Sequence, residues 1–324
     1  MAERQGPKVY SIAAHRGFAD ALVAGLVPRY ADDEFGLARL TLLVPSSRAR
    51  RTISEAFIRH AGEQGTPGLL MPRMAVVGDL DLDETLGPLL DPLGAADIPR
   101  AIEPQRRLFA LARLIADTLG DETPGGATLL RLARETGATM DRLLVEGVGP
   151  EELVGESVLD LFGSLSDHWQ RSLHLFANVQ AKWLEQLQQW DALDAAARRN
   201  RLFDWAAARW RAAPPETPIV AAGVTSAAPS LARLLRVVAD CDQGAVILPD
   251  FDLTMPQAVW DELGRAGATP EPGATPFARE DAVTHPQYHL KLLLNRMGIA
   301  REEVQPWHRR GIAAAQPELS LIHI

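Results

Sequence analysis

Two short segments rich in strand formers lie near the start of the chain, and each leads into a stretch with helical periodicity. The segment KVYSIAA is followed by Phe18, Leu22 and Leu26 at helical spacing. Residues 40–44 then form a run that is apolar except for Thr41, which is typical of a strand buried on both faces, and Pro45 ends it. The pattern predicts two consecutive strand–helix units.

A second helix and a third strand extend this plan. Ser46 and Ser47 are natural caps for a helix start, and Ile53 and Phe57 mark the apolar face of that helix. A further strand is predicted at residues 75–77. Strands that alternate with helices at this spacing favour a parallel sheet of the α/β class.

The middle of the chain has a different periodicity. From residue 96 to 215 the pattern is almost wholly helical, and two apolar stripes run through it. One stripe comprises Leu108, Leu111, Ile115 and Leu119, and the other comprises Trp169, Leu173, Phe176, Trp183, Leu187 and Trp190. Because this spacing matches helix packing, we interpret the tryptophans as a helical core and not as a platform for stacked bases.

The α/β pattern returns in residues 216–316, with strands predicted at 219–223 and 245–248 and a helix at 231–239. A helical block between two α/β blocks (the first at 1–95) predicts one sheet with a large helical insertion at 96–215. The last residues, 317–324, complete no element, and we expect them to be a truncated or non-native tail.

Composition narrows the class of protein. The chain has 324 residues, 47% of them hydrophobic, and a net charge of −9, which is ordinary for a globular protein. Its single cysteine, Cys241, excludes an internal disulfide. No apolar run is long enough for a membrane span, and the first residues lack the apolar core of a secretory signal, so we expect a cytoplasmic protein without a membrane partner.

The scarcity of lysine excludes two kinds of active site. Only Lys8, Lys182 and Lys291 are present, and none of them follows a glycine. A phosphate-binding P-loop needs a Gly-Lys pair, and a nuclease of the Asp…(Asp/Glu)-x-Lys type needs an acidic residue two positions before a lysine. Neither pattern occurs in the chain, and no GxSxG serine motif occurs either.

The first turn between strand and helix occupies the position of a P-loop. It contains the residues His15, Arg16, Gly17, Phe18 and Ala19. If Gly17 takes the place of the second glycine of the motif, then Phe18 and Ala19 stand where a lysine and a magnesium-binding hydroxyl belong. The segment is therefore either a degenerate nucleotide-binding loop or an ordinary tight turn, and neither interpretation predicts ATP hydrolysis.

The second turn carries candidate nucleic-acid contacts. Ser46, Ser47, Arg48 and Arg51 cluster at a predicted helix N-terminus, where hydroxyl and guanidinium groups suit a phosphate backbone. A solvated helix face would explain the same residues, and the net charge of −9 counts against a general polyanion binder. The turn at Thr225–Ser226 offers similar geometry with less charge.

Two patterns of possible metal ligands are weak. His285 and His289 are four residues apart, but Pro286 is a natural first helical residue, which puts His285 outside the helix. The acidic positions Asp79, Asp81 and Asp83 lack the glycine and distal glutamate of a calcium loop. We therefore predict no metal and no cofactor in this chain.

Several blocks, in this order and at this spacing, resemble the N-terminal part of the AddB subunits of bacterial AddAB helicase–nucleases in their alphaproteobacterial form. They are VYSIAAHRGFADALVAGL, LTLLVPSSRARRTISEAF, MPRMAVVGDLDLDE, IVAAGVTSAAPSLARLLRVVADCDQGAVILPDFD and HPQYHLKLLLNRMG. The resemblance covers essentially residues 8–310.

This resemblance implies a RecA-like, superfamily-1 helicase-like fold and a role in recombinational repair of double-strand breaks. It implies AddA and DNA ends as partners, with ATP bound by AddA. In the family, iron–sulfur cysteines and a magnesium-dependent nuclease lie in a C-terminal part that has no counterpart here, so we expect a fragment with an inactive motor. The alternative is a scaffold or adaptor without DNA binding or catalysis.

Overall fold

The structure is a computed structural model that describes residues 6–31, 35–65, 69–78, 86–92, 94, 96–149, 167–269, 271 and 274–308. Its strands are β1 Val9–Ile12, β2 Thr41–Val44, β3 Arg73–Val76, β4 Arg100–Ala101, β5 Ala192–Leu193, β6 Ile219–Ala222, β7 Gly244–Pro249 and β8 Val304–Pro306. Its helices are α1 Phe18–Tyr30, α2 Ser47–Glu63, α3 Leu86–Leu90, α4 Pro104–Leu119, α5 Gly126–Glu146, α6 Asp167–Gln189, α7 Ala195–Ala212, α8 Pro229–Asp240, α9 Gln257–Glu262 and α10 Tyr288–Met297. Short 3-10 helices occupy Gly36–Arg39, Gly120–Glu122 and Arg301–Glu303.

Six parallel strands form the main sheet, in the order β3-β2-β6-β7-β1-β8. Strands from both ends of the chain alternate in it, because β2 pairs with β6 (Leu43 opposite Ala221) and β1 pairs with β7 (Val9 opposite Val246). The predicted α/β class, with one parallel sheet interrupted by a helical insertion, is therefore confirmed. Such a sheet is consistent with the RecA-like arrangement that the resemblance implies.

Each face of the sheet has its own apolar layer. Leu42 and Val44 of β2 point to the layer that contains α1 and α2, where Phe57 is fully buried. Leu43 points to the opposite layer, which contains α7, α8 and α10. Alternate side chains of β2 are thus buried on both faces, as its mostly apolar run predicts.

The insertion has a separate apolar core formed by α4, α5 and α6. Leu111, Ile115, Met140 and Trp183 are buried in it, each with about 1% of its surface exposed. Trp210, in α7, is buried under the main sheet instead. These tryptophans pack as helix-core residues, in agreement with the interpretation of their spacing.

A buried ion-pair cluster anchors this insertion. The Arg107 Nε atom of α4 lies 2.8 Å from the Asp194 Oδ1 atom, and Arg107 Nη1 lies 2.8 Å from Asp141 Oδ2 of α5. Trp183 Nε1 also donates to both oxygens of Asp194, at 3.2 and 3.0 Å. Burial raises the pKa of the Asp194 carboxyl, although the Arg107 charge and the Trp183 hydrogen bond act in the opposite direction.

Four details differ from the sequence-based expectations. The insertion contains a two-stranded sheet, β4–β5, whose two-residue strands leave no periodic signal. Strand β8 is not predicted by any apolar run, since it reads VQP. Strand β3 begins at Arg73, before the predicted run at 75–77. Finally, Pro286 is not the first helical residue.

The residues before α10 form its cap. The helix begins at Tyr288, and Gln287 is its N-cap residue: the Gln287 carbonyl accepts the Lys291 N–H at 2.9 Å, its own N–H donates to His285 Nδ1 at 3.1 Å, and its side-chain amide donates to the Asp250 carbonyl at 2.7 Å. His285 nonetheless lies outside the helix, as predicted.

Candidate nucleic-acid interface

The predicted site residues lie on turns at one edge of the main sheet. All six strands are parallel, so the turns that follow them share the carboxyl edge. The chain leaves β2 toward α2 on one face of the sheet and leaves the adjacent β6 toward α8 on the other face. A crevice opens between neighbouring strands where the connections diverge in this way, and ligands of open α/β sheets bind in such crevices.

Gly223 is the point at which three of these turns meet. It follows β6 with a φ of +73°, in the left-handed region that favours glycine. A Cβ atom added there would lie 3.2 Å from Phe18 Cε1 and 3.9 Å from Pro45 Cδ. The turns after β1, β2 and β6 are therefore in contact, and the two segments predicted to contact DNA are neighbours.

The turn after β1 lacks the lysine and the hydroxyl side chain with which a P-loop binds nucleotide phosphates and magnesium. His15, Arg16 and Gly17 are exposed, and α1 begins at Phe18, whose half-buried ring packs toward Gly223. The following residue, Ala19, has no hydroxyl for a magnesium ion. An aromatic ring thus occupies the space beside the first turn of the helix, where a P-loop lysine would reach for phosphate.

The turn after β2 presents hydroxyl and guanidinium groups. Ser46 is the N-cap of α2, and its Oγ atom accepts a hydrogen bond from the Ala49 N–H at 3.2 Å. Ser47 and Arg48 are exposed, and within the described ranges Arg48 makes no ion pair. Arg51 pairs with Glu55 of the same helix at 3.1 Å, with 82% of the arginine side chain exposed. A pair this exposed is weak and can be exchanged for another anion.

The turn after β6 adds two exposed hydroxyls. Thr225 and Ser226 precede α8, and Ser226 Oγ accepts a long hydrogen bond of 3.5 Å from the Ala228 N–H. Neither residue is charged, so this turn offers hydrogen bonds with little electrostatic attraction. It faces the β2 turn across the crevice because β2 and β6 are paired.

The charged side chains differ between the part of this edge beside β1 and the part beside β2. Asp20 lies in the first turn of α1, where it pairs with Arg59 at 2.7 Å, and Asp250 follows β7 directly beside the end of β1, its N–H bonded to the Ile12 carbonyl at 2.8 Å. The charge of Asp20 is compensated by Arg59, whereas Asp250 adds a negative charge beside β1. The three arginines at residues 48, 50 and 51 favour an anion near β2.

Two residues of this edge carry no signal in the sequence. Gly78 follows β3, and a Cβ atom there would lie 2.0 Å from the Pro45 carbonyl oxygen, so the close approach of the two turns requires glycine. Arg199 of α7 is buried and donates to the Gly78 carbonyl at 3.3 Å, which ties the last helix before β6 to this edge. Only the folded arrangement brings these residues together.

The described residues contain no group of three or more His, Cys, Asp or Glu side chains arranged to hold a metal ion. His285 lies in a turn and His289 in α10. Asp79, Asp81 and Asp83 lie outside the described residues. None of the helices in the described part of the chain combines the length and the apolar character that a bilayer crossing requires.

The fold and the edge define an α/β protein with a parallel sheet, a helical insertion, and exposed hydroxyl and arginine side chains on turns at the carboxyl ends of its strands. A comparison of the chain with protein-family models finds no match, and a comparison with curated proteins finds none either.

Proposed function

We propose that this chain is the non-motor, helicase-like part of a double-strand-break repair subunit of the AddB type, and that it binds single-stranded DNA and pairs with AddA. The observation that carries the proposal is the contact between the β2 and β6 turns, the two turns that bear Ser47 and Arg48 on one side and Thr225 and Ser226 on the other; Arg51 lies one helical turn after Ser47. Exposed hydroxyl and guanidinium groups at a helix N-terminus suit a phosphate backbone.

The proposed binding is independent of base sequence and of nucleotide hydrolysis. The groups at the crevice would contact phosphates, which carry no sequence information. Phe18 and Ala19 supply neither of the side chains that an ATP-driven motor uses at this turn. The chain would therefore hold the strand while AddA, which the resemblance implies as the ATP-binding partner, drives movement.

The direct test is a salt titration of single-strand binding, measured by fluorescence anisotropy for the chain alone and for its complex with AddA. Two oligonucleotides of unrelated sequence serve as ligands. Replacing Arg48 and Arg51 with Ala should weaken both complexes by a similar factor and reduce the slope of log K against log salt by about 1.4, since each lost phosphate contact on a single strand contributes about 0.7.

The matched control changes the same charge at the opposite edge of the sheet. Arg73 begins β3 and Arg211 lies in the last turn of α7, and both are exposed. A double replacement of these two arginines with Ala should leave the salt slope unchanged. If the wild-type chain has no salt-dependent affinity for single strands in either preparation, the scaffold or adaptor function replaces this proposal.

A further inference from the structure

One guanidinium group connects three separate segments beside the crevice. Arg296 of α10 donates from Nη1 to the Ala227 carbonyl of the β6 turn at 2.6 Å, and the same atom lies 2.8 Å from Glu146 Oε2, on the last residue of α5. The Arg296 side chain is only 15% exposed, whereas that of Glu146 is 50% exposed. The helical insertion is thus attached, through Arg296, to the residue that follows Ser226.

A second polar bridge joins the same two regions independently. Asn200 of α7 donates from Nδ2 to the Leu144 carbonyl in the last turn of α5, at 2.7 Å. Its Oδ1 atom accepts a hydrogen bond from Ser230 Oγ at 2.9 Å, and Ser230 is buried in the first turn of α8. The end of α5 is therefore held against both sides of the β6 turn, at Ala227 and at Ser230.

The charges where the end of α5 meets the β6 turn would affect the binding of an anionic ligand. The carboxyl end of a helix is its negative pole, and Glu146 adds a full negative charge to the end of α5. This half-exposed carboxylate lies next to the turn that bears Thr225 and Ser226. Arg296 neutralises it, so the phosphates of a bound strand would not meet an uncompensated negative charge there.

We propose that Arg296 is a positioning residue, which fixes the end of the insertion on the β6 turn and shields the crevice from the charge of Glu146. The DNA-related part of this inference rests on the proposed function. Its structural part, that α5 and the β6 turn form one rigid unit through Arg296, does not. The insertion and the carboxyl edge of the sheet then respond as one body to any ligand bound at the crevice.

The test compares Arg296→Gln with Arg236→Gln, Glu146→Gln and the double variant Arg296→Gln/Glu146→Gln in the whole chain. Arg236 is the matched control, because it also pairs with a carboxylate, Asp240 at 2.9 Å, and also donates to a backbone carbonyl, that of Gly298. Hydrogen–deuterium exchange should rise together at residues 142–147 and 225–230 in Arg296→Gln and at neither segment in Arg236→Gln. Unchanged exchange at both segments in Arg296→Gln would overturn the inference whether or not the chain binds DNA.

The single-strand affinity supplies the second readout. Arg296→Gln should weaken binding about three- to tenfold, a range typical of residues that act on a site through its supports. Removing the charge of Glu146 as well should return the affinity to within about twofold of the wild type while exchange at residues 142–147 and 225–230 stays raised, because the uncompensated charge is gone but the anchor is not restored. An Arg296→Gln affinity no lower than that of Arg236→Gln, or no recovery in the double variant, would refute the shielding role. A wild-type chain that does not bind DNA refutes the proposed function instead and leaves the exchange result to decide on the rigid unit.

Discussion

The ring of Phe18 and the backbone of Gly223 are in such close contact that a single added carbon at Gly223 would lie 3.2 Å from the ring. This contact joins the first residue of α1 to the turn after β6. It leaves little room for a side chain at Gly223, whose positive φ already favours glycine.

We expect the chain not to bind Mg-ATP at micromolar concentrations, because an apolar ring lies beside the turn where lysine and magnesium would neutralise phosphate charge. Equilibrium dialysis with labelled ATP and magnesium measures this. The double variant Phe18→Ala/Ala19→Ser is the control for steric blocking: it should not bind either, since the lysine is still missing. Micromolar binding by the wild type would contradict the prediction.

Replacing Gly223 with Ala should lower the free energy of unfolding by about 1–3 kcal/mol, because the new side chain meets both a left-handed backbone and the Phe18 ring. Urea denaturation followed by circular dichroism gives the value. At Gly62, inside α2 and with open space around it, the same substitution should instead stabilise the protein by about 0.5–1 kcal/mol. Equal effects at the two positions would argue against the close contact of the turns.

The apolar runs of the sequence predict the strands well, but not their neighbours. Residues 40–44 and 245–248 are predicted as strands because runs of mostly apolar side chains need burial on both faces, and the structure has β2 and β7 there. Pairing is a long-range property, however, and nothing in the run around Leu43 specifies Ala221 as its partner. The sequence predicts the candidate site residues of each turn separately. It does not predict the contact between the turns, which depends on Gly223 and Gly78, because in the sequence these look like ordinary loop glycines.

The polar residues that pack between helices are the part of the fold that the sequence predicts least. Asp194 and Asn200 look like exposed positions near a helix start, yet the first is 2% exposed and the second forms two side-chain hydrogen bonds between helices. Their partners come from distant helices, so the local pattern contains no trace of the pairing. The sequence pattern does not predict strand β8 for a similar reason. This three-residue strand contains Gln and Pro, and its pairing with β1 defines it rather than its own strand propensity.

The Asp194→Asn variant should lose about 3 kcal/mol of unfolding free energy, because it leaves the Arg107 guanidinium in a buried site with one carboxylate fewer. Thermal and urea unfolding both report the change. Asp117→Asn is the control on α4, where the ion pair with Arg113 is 3.8 Å long and exposed; it should change stability by less than about 0.5 kcal/mol. If the two variants lose the same stability, the Arg107 cluster does not anchor the insertion.

Glu103 should make the start of α4 sensitive to acid. Its two carboxylate oxygens accept the N–H groups of Gln105 and Arg106 at 3.0 and 2.7 Å, and these hydrogen bonds hold the pKa of Glu103 below its ordinary value of 4.5. A lowered pKa in the folded state means that this stabilisation is present above pH 4.5 and is lost as the pH falls through the folded pKa. The protection of the first-turn amides of α4, meaning their exchange rate relative to the intrinsic rate at the same pH, should therefore fall on acidification in the wild type.

Glu103→Ala provides the comparison for this pH dependence. Its first turn should exchange faster than that of the wild type at neutral pH, and the difference should close at low pH, where the wild-type carboxyl is protonated and accepts weaker hydrogen bonds. A difference that stays constant across the titration would show that the capping does not depend on the carboxylate charge.

The interleaving of early and late strands in one sheet also dictates the order in which the chain can fold during synthesis. Strand β1 pairs with β7 and β8, and β2 has β6 as one of its two partners, so the early strands remain incomplete until the distant ones emerge from the ribosome. At elongation rates of about 5–20 residues per second, β1 waits on the order of 10–50 s for β7, a long exposure for an apolar strand edge. The insertion contains its own apolar core and is synthesised during that interval, so it is the first part of the chain able to fold. The main sheet is completed afterwards, when the late strands pair with the early ones.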